Sequence, residues 1–144
     1  MTSEYSCVFG ISTAVEGLTP GSGHRTFGED FSFLTLIGKE GRVYWFFFTK
    51  MDRVYSASEI PRFHQGLLDE HVAPYLQKPI RDTVPFAAVY ERAITRTFLP
   101  LEEAEYNHWA IDRWVCVGDS AHKVMLPLSR QALRLARFLT SYDR

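Results

Sequence analysis

The chain has 144 residues, a formal net charge of −1 at pH 7 and a pI near 6.5. Its Lys and Arg residues are scattered, so the basic surface that nucleic-acid binding requires is absent and that class of function is excluded. No apolar run approaches the roughly 20 residues of a membrane-spanning helix, and a chain of this length builds one core. We therefore expect a soluble single domain over residues 1–144, with no membrane partner.

The N-terminal half of the sequence predicts β-strands. Residues 5–13 are typical of a strand, whereas Gly and Pro interrupt residues 16–23, which indicates a loop. Residues 31–37 and 42–50 are rich in aromatic and β-branched residues, and a short polar turn with glycine at each end separates them. This pattern predicts a central β-hairpin.

Aromatic residues make up 15 % of the chain and are concentrated in this hairpin. Alternation along its second strand places Tyr44, Phe46 and Phe48 on one face and Trp45 and Phe47 on the other. Both faces are apolar, so both should be covered. A broad aromatic face of this kind suits a large apolar small molecule, with a plain hydrophobic core as the alternative. The residues assigned to that substrate-binding face are Phe31, Phe33, Tyr44, Phe46 and Phe48.

Two helices are expected to accompany the sheet. Apolar residues recur at helical spacing between Ser56 and Leu76, which predicts a covering helix at about 57–76 with Ser58 as its candidate N-cap. A second amphipathic pattern predicts a C-terminal helix at about 126–140. The fold class is therefore α+β, with a mostly antiparallel sheet, one covering helix and one C-terminal helix.

Between these helices, residues 89–99 alternate well enough to predict a strand with Tyr90, Arg92 and Arg96 on one side. Arginine on an otherwise apolar strand either pairs with a carboxylate or donates bidentate hydrogen bonds to a ligand carboxylate or carbonyl. The candidate carboxylate partners are Glu91, Glu102 and Glu103.

The two cysteines, Cys7 and Cys116, both lie in apolar strand-like runs. Each is therefore expected to pack as a small hydrophobic residue rather than to form a disulfide. The first residues carry no basic segment followed by an apolar one, so no secretory signal is predicted. Together these features predict a cytoplasmic location.

Metal and nucleophilic chemistry find little support in the sequence. The five histidines show no ligand spacing, so no metal is predicted, and His64 and His71 are expected to be exposed to solvent. Ser120 lies near Asp119 and His122 in sequence but lacks the Gly-x-Ser-x-Gly turn of an exposed serine nucleophile. Asp119 and His122 remain candidates for a proton-transfer pair, with a capping role for Asp119 or Ser120 at the start of the turn as the alternative.

The residues from Trp114 to Lys123 form an apolar run that leads into Gly-Asp-Ser-Ala-His. In order with the strand at Cys7 to Ser12, the aromatic hairpin and the segment at Tyr90 to Arg92, this stretch resembles FAD-dependent monooxygenases of the aromatic-hydroxylase type, in their fungal secondary-metabolism branch. The resemblance implies that Asp119 contacts the ribityl chain of FAD. It also implies that the sheet is the floor of a substrate pocket, so that the chain corresponds to the substrate domain of such an enzyme.

The sequence departs from that family at the two places that hold most of the flavin. The Gly-x-Gly-x-x-Gly turn that binds the pyrophosphate has no counterpart, since Gly21-Ser22-Gly23 is followed by His24. The family's glycine-rich loop after the Asp turn is replaced by Val124 to Gln131. We therefore predict a substrate domain without the dinucleotide-binding domain and with no bound cofactor.

A shaped apolar pocket without a flavin suits a redox-neutral reaction. The expected function is a cofactor-independent cyclase or isomerase, such as a Diels–Alder pericyclase, acting on an apolar terpenoid or polyketide intermediate. A truncated monooxygenase and a non-catalytic binding remnant are the alternatives. The candidate catalytic residues are Tyr44, Arg92, Arg96, Asp119 and His122. The candidate substrate contacts are Phe31, Phe33, Phe46, Phe48 and Tyr90. Homodimerisation over the uncovered sheet face is also expected.

Overall fold

The computed structural model describes residues 1–123. Contacts within the chain divide it into two units, residues 2–101 and a second unit that begins at Glu102. The helix predicted at about 126–140 lies outside the described residues. Among those residues, no helix has both the length and the apolar character needed to cross a membrane.

The larger unit is an antiparallel sheet with short helices on one face. Its first strands are β1 Thr2–Ser12, β2 Gly23–Phe27, β3 Phe31–Ile37 and β4 Val43–Ser56. There follow helix α1 Leu68–Val72, the two-stranded pair β5 Pro79–Arg81 and β6 Val84–Pro85, helix α2 Phe86–Tyr90 and strand β7 Ala93–Glu105, whose last residues belong to the smaller unit. The sheet order is β7–β1–β4–β3–β2. The predicted α+β class, with a mostly antiparallel sheet, is confirmed.

The predicted hairpin is β3–β4, but one of its faces differs from expectation. Ile37 pairs with Val43, so each residue of β3 faces one of the same parity on β4, and Phe33 lies opposite Phe47. Phe31 and Phe33 therefore point to the same side as Trp45 and Phe47. Their assignment to the face of Tyr44, Phe46 and Phe48 is wrong, because the register of the hairpin pairs the odd-numbered residues of β3 with the odd-numbered residues of β4.

The side of the sheet that carries Trp45 and Phe47, called the covered face here, holds the core of the larger unit. Phe86 of α2 packs on it, with ring centroids 4.7 Å from Phe33 and 5.2 Å from Trp45. Leu68 and Val72 of α1 are fully buried in the same cluster. Burial of aromatic and aliphatic side chains against this face is the main stabilising contribution to the unit.

Gly10 allows β1 to approach its neighbours closely. A Cβ atom at this position would lie 2.3 Å from the ring of Trp45 and 2.7 Å from the carbonyl oxygen of Thr95. Both distances are shorter than van der Waals contact, so the packing of the indole against β1 requires a glycine here.

The single helix predicted at about 57–76 is not formed. The structure has a 3₁₀ turn at Ala57–Glu59, another at Gln65–Leu67, the short helix α1 and a further 3₁₀ turn at Ala73–Tyr75. Pro61 lacks a backbone donor, and Gly66 has a low helix propensity, so neither supports a continuous helix. Leu68 and Val72 are buried and Phe63 and Leu76 are half-buried, whereas Leu67 is exposed, so only part of the predicted apolar stripe faces the core.

Strand β2, Gly23–Phe27, begins at the last residue of the predicted loop and pairs with β3 at the edge of the sheet. One further sequence prediction needs correction in this unit. Tyr90 is the last residue of α2 rather than part of a strand, and it is buried beside Trp45 and Phe86. Strand β7 begins only at Ala93.

The smaller unit is described as far as Lys123. It contains the hairpin of β8 Ala110–Ile111 and β9 Trp114–Val115, a 3₁₀ turn at Gly118–Ser120, and strand β10 His122–Lys123. Strand β10 pairs with the end of β7, where His122 lies opposite Glu105. The apolar run that begins at Trp114 thus contains the short strands β9 and β10.

The two cysteines have different environments. Cys7 is buried, as expected, whereas Cys116 is exposed. The prediction of a packed Cys116 is wrong, because β8 and β9 form a hairpin whose apolar residues Ile111, Trp114 and Val115 are themselves largely exposed.

Candidate functional site

One side of the sheet in the larger unit is an apolar surface that remains partly exposed. The register places Phe9 and Leu34 on either side of Phe46, and Ile11 and Leu36 on either side of Tyr44. The same alternation adds Phe48 of β4 and Phe27 of β2. We call this surface the open face; it consists of Phe9, Ile11, Phe27, Leu34, Leu36, Tyr44, Phe46 and Phe48.

The open face combines aromatic area with one hydroxyl group. The rings of Phe46 and Phe48 are nearly parallel, at 6.1 Å between centroids, and Phe9 lies 6.1 Å from Phe46. Tyr44 is 40 % exposed and Phe27 is 62 % exposed. The surface can therefore bind an apolar molecule through its rings while the phenol of Tyr44 donates to an acceptor on it.

Arg96 and Tyr90 belong to a different cluster, which joins α1, α2 and β7. The Tyr90 hydroxyl donates to Oδ1 of Asp69 at 2.5 Å, and Nη1 of Arg96 lies 3.4 Å from the same oxygen. The guanidinium of Arg96 also lies 4.5 Å above the Tyr90 ring. Burial, with the hydrogen bond to Asp69, raises the pKa of Tyr90 to about 12. The carboxylate partner is thus Asp69, not one of the glutamates expected from the sequence.

Arg92 lies between α2 and β7, with an exposed side chain. Its backbone carbonyl accepts a hydrogen bond from the amide of Thr13 at 3.2 Å. Within the part of the chain that the structure describes, its guanidinium has no hydrogen bond or ion pair. The structure therefore does not join Arg92 to the Arg96 cluster.

Asp119 and His122 are exposed residues of the smaller unit. Asp119 lies in the turn Gly118–Ser120, where Gly118 adopts a φ of +63° that favours glycine. Neither the Asp119 carboxylate nor the Ser120 hydroxyl caps this turn. The Ser120 hydroxyl donates instead to the carbonyl of Val117 at 2.8 Å. The ring of His122 packs 5.7 Å from that of Trp109.

These residues fit only part of an FAD molecule. The carboxylate of Asp119 has no partner among the described residues and could accept hydrogen bonds from a ribityl chain, as the family resemblance implies. Gly23 begins β2, so the Gly21 to Gly23 segment is not a strand-to-helix phosphate turn. Asp119 therefore has a carboxylate open to a ligand, and the Gly21 to Gly23 segment provides no phosphate turn.

The larger unit also contains a cavity of about 470 Å³ beside the covered face. None of the predicted site residues lines it. Its walls combine apolar side chains from several segments with buried hydroxyls and a few charged groups at the rim. The lining includes Ser6, Thr49, Phe63, Leu67, His71 and Phe98, with Lys50, Asp52 and Glu70 among its charged residues.

A chain of hydrogen bonds runs along one wall of this cavity. The hydroxyls of Ser6 and Thr49 lie 2.7 Å apart, and Thr49 Oγ1 lies 3.0 Å from Nε2 of His71. The His71 ring stacks on Phe98 at 4.4 Å. Burial lowers the pKa of His71, so the ring is neutral near pH 7.

The prediction of an exposed His71 is therefore wrong. The sequence carried one usable signal, because His71 immediately precedes Val72 and lies three residues after Leu68, both of which are buried on α1. Its packing partners Thr49 and Phe98 are distant in sequence, which is why the pattern alone did not reveal them. Among the described residues, no group of three or more His, Cys, Asp or Glu side chains is arranged to hold a metal ion.

Comparison with known proteins identifies the class of protein that this fold and these residues define. No known family profile matches the chain. The chain is 40 % identical over 127 residues to the FAD-dependent monooxygenase anuJ of Penicillium roqueforti, which covers 86 % of this chain and 16 % of that protein. It is also 40 % identical over 136 residues to the FAD-dependent monooxygenase olcE of Penicillium canescens, covering 94 % of this chain and 29 % of that protein. The chain is thus homologous to a part of the fungal FAD-dependent monooxygenases, a family of enzymes, and spans less than a third of the length of these relatives.

Solved structures show the same fold. HpxO of Klebsiella pneumoniae, crystallised with FAD, matches 88 % of this chain and 32 % of its own, with 17 % sequence identity and a TM-score of 0.58. The peptidyl tryptophan dihydroxylase QhpG matches 88 % of this chain and 27 % of its own, with 17 % identity and a TM-score of 0.53. The sheet and its short helices therefore have the fold of a segment of each of these two proteins.

Proposed function

We propose that this chain supplies the substrate-binding part of an FAD-dependent monooxygenase and that an apolar small molecule lies against its open face. The observation that carries this proposal is the continuous, partly exposed aromatic surface of β1 to β4. Monomeric proteins seldom expose an apolar area of this kind unless it binds something. Homology to monooxygenases of fungal secondary metabolism supports an apolar metabolite as the ligand.

The residues of the chain would bind and orient the substrate. Phe46 and Phe48 offer ring faces for stacking, Leu34 and Leu36 extend the apolar floor, and the Tyr44 hydroxyl can donate to an oxygen of the ligand. FAD, when bound, supplies the oxygen-transfer chemistry. Asp119 would hold its ribityl chain, and contacts to its pyrophosphate would have to come from groups other than the described residues.

A redox-neutral cyclisation or isomerisation of a terpenoid or polyketide is the second candidate. It is favoured by a phenol donor, Tyr44, standing among aromatic side chains on one surface. Folding a flexible polyene over such a surface lowers the entropic part of the barrier, and positioning can contribute up to roughly 7–11 kcal/mol in favourable cases. A hydrogen bond from Tyr44 to an activating carbonyl would stabilise developing charge. A Diels–Alder ring closure is the clearest reaction of this type.

Binding at the open face can be tested with the purified chain and farnesol, a linear terpenoid polyene, as the probe. We expect Phe46→Ser to weaken binding roughly tenfold, because it removes the central ring of the floor. Val54→Ser is the matched control, since Val54 is an exposed aliphatic residue of β4 outside the open face. Equal affinity of both variants and the unchanged chain would overturn the proposal.

The two candidate reactions differ in the mass of the product. The chain is incubated with terpenoid and polyketide polyenes, with and without FAD and NADPH, and the products are analysed by mass spectrometry. A flavin-dependent product heavier by one oxygen supports the monooxygenase. A new product of unchanged mass, formed without flavin and lost in Tyr44→Phe, supports the cyclase or isomerase instead.

A further inference from the structure

We infer that the cavity beside the covered face is a second ligand site, which takes a neutral, apolar molecule with a carbonyl oxygen and binds that oxygen through the Nδ1–H group of His71. This site is distinct from the open face. Ser6 and Thr49, which line it, belong to the side of the sheet that carries Phe47, and the open face is the opposite side. The inference therefore does not depend on the proposed function.

The direction of the hydrogen bonds determines which nitrogen of His71 carries the proton. Ser6 is 1 % exposed, and the only hydrogen-bond partner of its hydroxyl among the described residues is Thr49. If His71 Nε2 donated to Thr49, the three groups would hold three protons for only two hydrogen bonds, and the hydroxyl proton of either Ser6 or Thr49 would be buried without an acceptor. Leaving a buried donor unpaired costs roughly 1–3 kcal/mol.

The opposite direction satisfies every hydroxyl. Ser6 donates to Thr49, Thr49 donates to Nε2 of His71, and the neutral imidazole then carries its proton on Nδ1. Nδ1 has no hydrogen-bond partner among the described residues. The Nδ1–H group of His71, a residue that lines the cavity, is therefore a donor that the hydrogen-bond chain does not use. An acceptor atom on a ligand can pair with it.

The other walls define the rest of the ligand. Phe63 stacks on Phe98 at 4.0 Å with an interplanar angle of 5°, and Leu67 adds an aliphatic surface. The volume of about 470 Å³ lies within the range of small-molecule sites. These features favour an apolar molecule, and one with a planar part can stack against the aromatic wall.

The charges at the rim disfavour an anion. Lys50 is accompanied by Asp52 and Glu70, and its Nζ also lies 4.0 Å from a carboxylate oxygen of Glu4. Among the described residues that line the cavity, Lys50 is the one Lys or Arg, and it is therefore outnumbered by carboxylates. A carboxylate ligand would meet net repulsion, whereas a ketone would not.

The inference can be tested with acetonaphthone as the ketone, ethylnaphthalene as a hydrocarbon of similar shape and naphthoate as the anion. We expect the intact chain to bind the ketone roughly tenfold more tightly than the hydrocarbon, the effect of one hydrogen bond, and to bind naphthoate least. Proton–nitrogen correlation NMR of the histidine rings should show the His71 proton on Nδ1 in the free protein and a shift of that resonance when the ketone is added.

Variants separate the donor from the packing. His71→Phe keeps an aromatic ring against Phe98 and removes the donor, so the preference for the ketone should disappear. Thr49→Val removes the hydroxyl that fixes the tautomer and should reduce that preference. His64→Phe, at an exposed histidine of the same segment, is the matched control and should behave as the unchanged chain.

Two results would overturn the inference, and neither needs a variant to fold. One is equal affinity of the unchanged chain for the ketone and the hydrocarbon. The other is a His71 proton found on Nε2. Because the readout is the His71 resonance, failure here leaves the Phe46 test of the open face unaffected, and failure of that test leaves this one standing.

Discussion

The indole Nε1 of Trp45 donates a hydrogen bond of 2.7 Å to the hydroxyl of Ser12 in the interior of the larger unit. The same hydroxyl donates to the backbone carbonyl of Val89 at 2.6 Å. One serine therefore links β1 to β4 and to α2. Its oxygen satisfies a buried indole, and its proton satisfies a buried carbonyl.

Replacing this serine should destabilise the unit. Ser12→Ala leaves the Trp45 N–H and the Val89 carbonyl unpaired, which we expect to lower the free energy of unfolding by roughly 1–3 kcal/mol. Urea denaturation followed by tryptophan fluorescence measures this change. Ser120→Ala, which removes an exposed hydroxyl bonded to the Val117 carbonyl, is the control and should cost less than about 0.5 kcal/mol. Equal effects of the two variants would contradict the prediction.

Gly10 should not tolerate even a methyl group. Gly10→Ala places its Cβ within 2.3 Å of the Trp45 ring, so the indole or β1 must move, at a cost of roughly 1–3 kcal/mol. Gly38→Ala is the matched control, because its Cβ would meet its nearest neighbours at 3.4 and 3.5 Å. Thermal unfolding of both variants measures this cost. A Gly10→Ala protein as stable as Gly38→Ala would show that β1 does not pack this closely against Trp45.

The Tyr90 phenol predicts a loss of stability in alkali. Its pKa is raised from 10.0 to about 12 by burial and by the hydrogen bond to Asp69, so the folded state favours the protonated phenol. This contribution is complete below pH 10 and is lost as the pH rises through 12. Urea midpoints measured across that range should fall less steeply in Tyr90→Phe than in the unchanged chain. Identical slopes would refute the shift.

Ionisation of Cys7 also lowers the stability of the folded state in alkali, since burial raises the pKa of its thiol from 9.0 to about 12. Cys7 is present in both proteins of that comparison, so only the difference between their slopes reports on Tyr90.

The two cysteines should differ sharply in reactivity. Cys7 is 2 % exposed, and its raised pKa suppresses the reactive thiolate, whereas Cys116 is exposed. Iodoacetamide at about pH 8 should therefore alkylate Cys116 on the order of 100-fold faster in the folded protein, as peptide mass spectrometry would show. In concentrated urea the two rates should converge. Rapid alkylation of Cys7 in the folded state would contradict its burial.

Local patterns were enough to predict the β3–β4 hairpin and the α+β class, because alternation and turn chemistry act over a few residues. The face of Phe31 and Phe33 was not predictable in the same way. It depends on whether Ile37 pairs with Val43 or with a neighbour, and a slip of one residue reverses every side chain. The hydrophobic spacing of residues 57–76 was real, but it belongs to a series of short turns and the short helix α1 rather than to one helix.

The candidate sites show the same limit. Tyr44, Phe46 and Phe48 were found because they alternate along one strand. The Ser6, Thr49 and His71 chain was missed because its members come from β1, β4 and α1 and are joined only by strand pairing and tertiary packing. The acidic partner of Arg96 was misplaced for the same reason, since Asp69 lies 27 residues away in sequence.

The open face also predicts self-association, which we propose for the isolated chain. Two copies that meet over Phe27, Leu36 and Phe46 would bury apolar area and could enclose a ligand between two aromatic floors. Sedimentation velocity should show a dimer at micromolar concentration, with Phe46→Ser shifted towards the monomer and Val54→Ser unchanged. A monomer at all concentrations, or a dimer indifferent to Phe46, would rule out this mode of pairing.

The Phe98 ring has a stacked ring on each of its two faces. The centroids of Phe63 and His71 lie 4.0 and 4.4 Å from that of Phe98, too close for both rings to occupy one face. A proton held above an aromatic ring experiences the magnetic field of the circulating π electrons. The carbon-bound protons of the His71 imidazole should therefore resonate well upfield of those of an exposed histidine such as His64. Since Phe63, His71 and Phe98 belong to separate segments, the size of this upfield chemical shift reports, without a label, how closely the turns around α1 pack against β7.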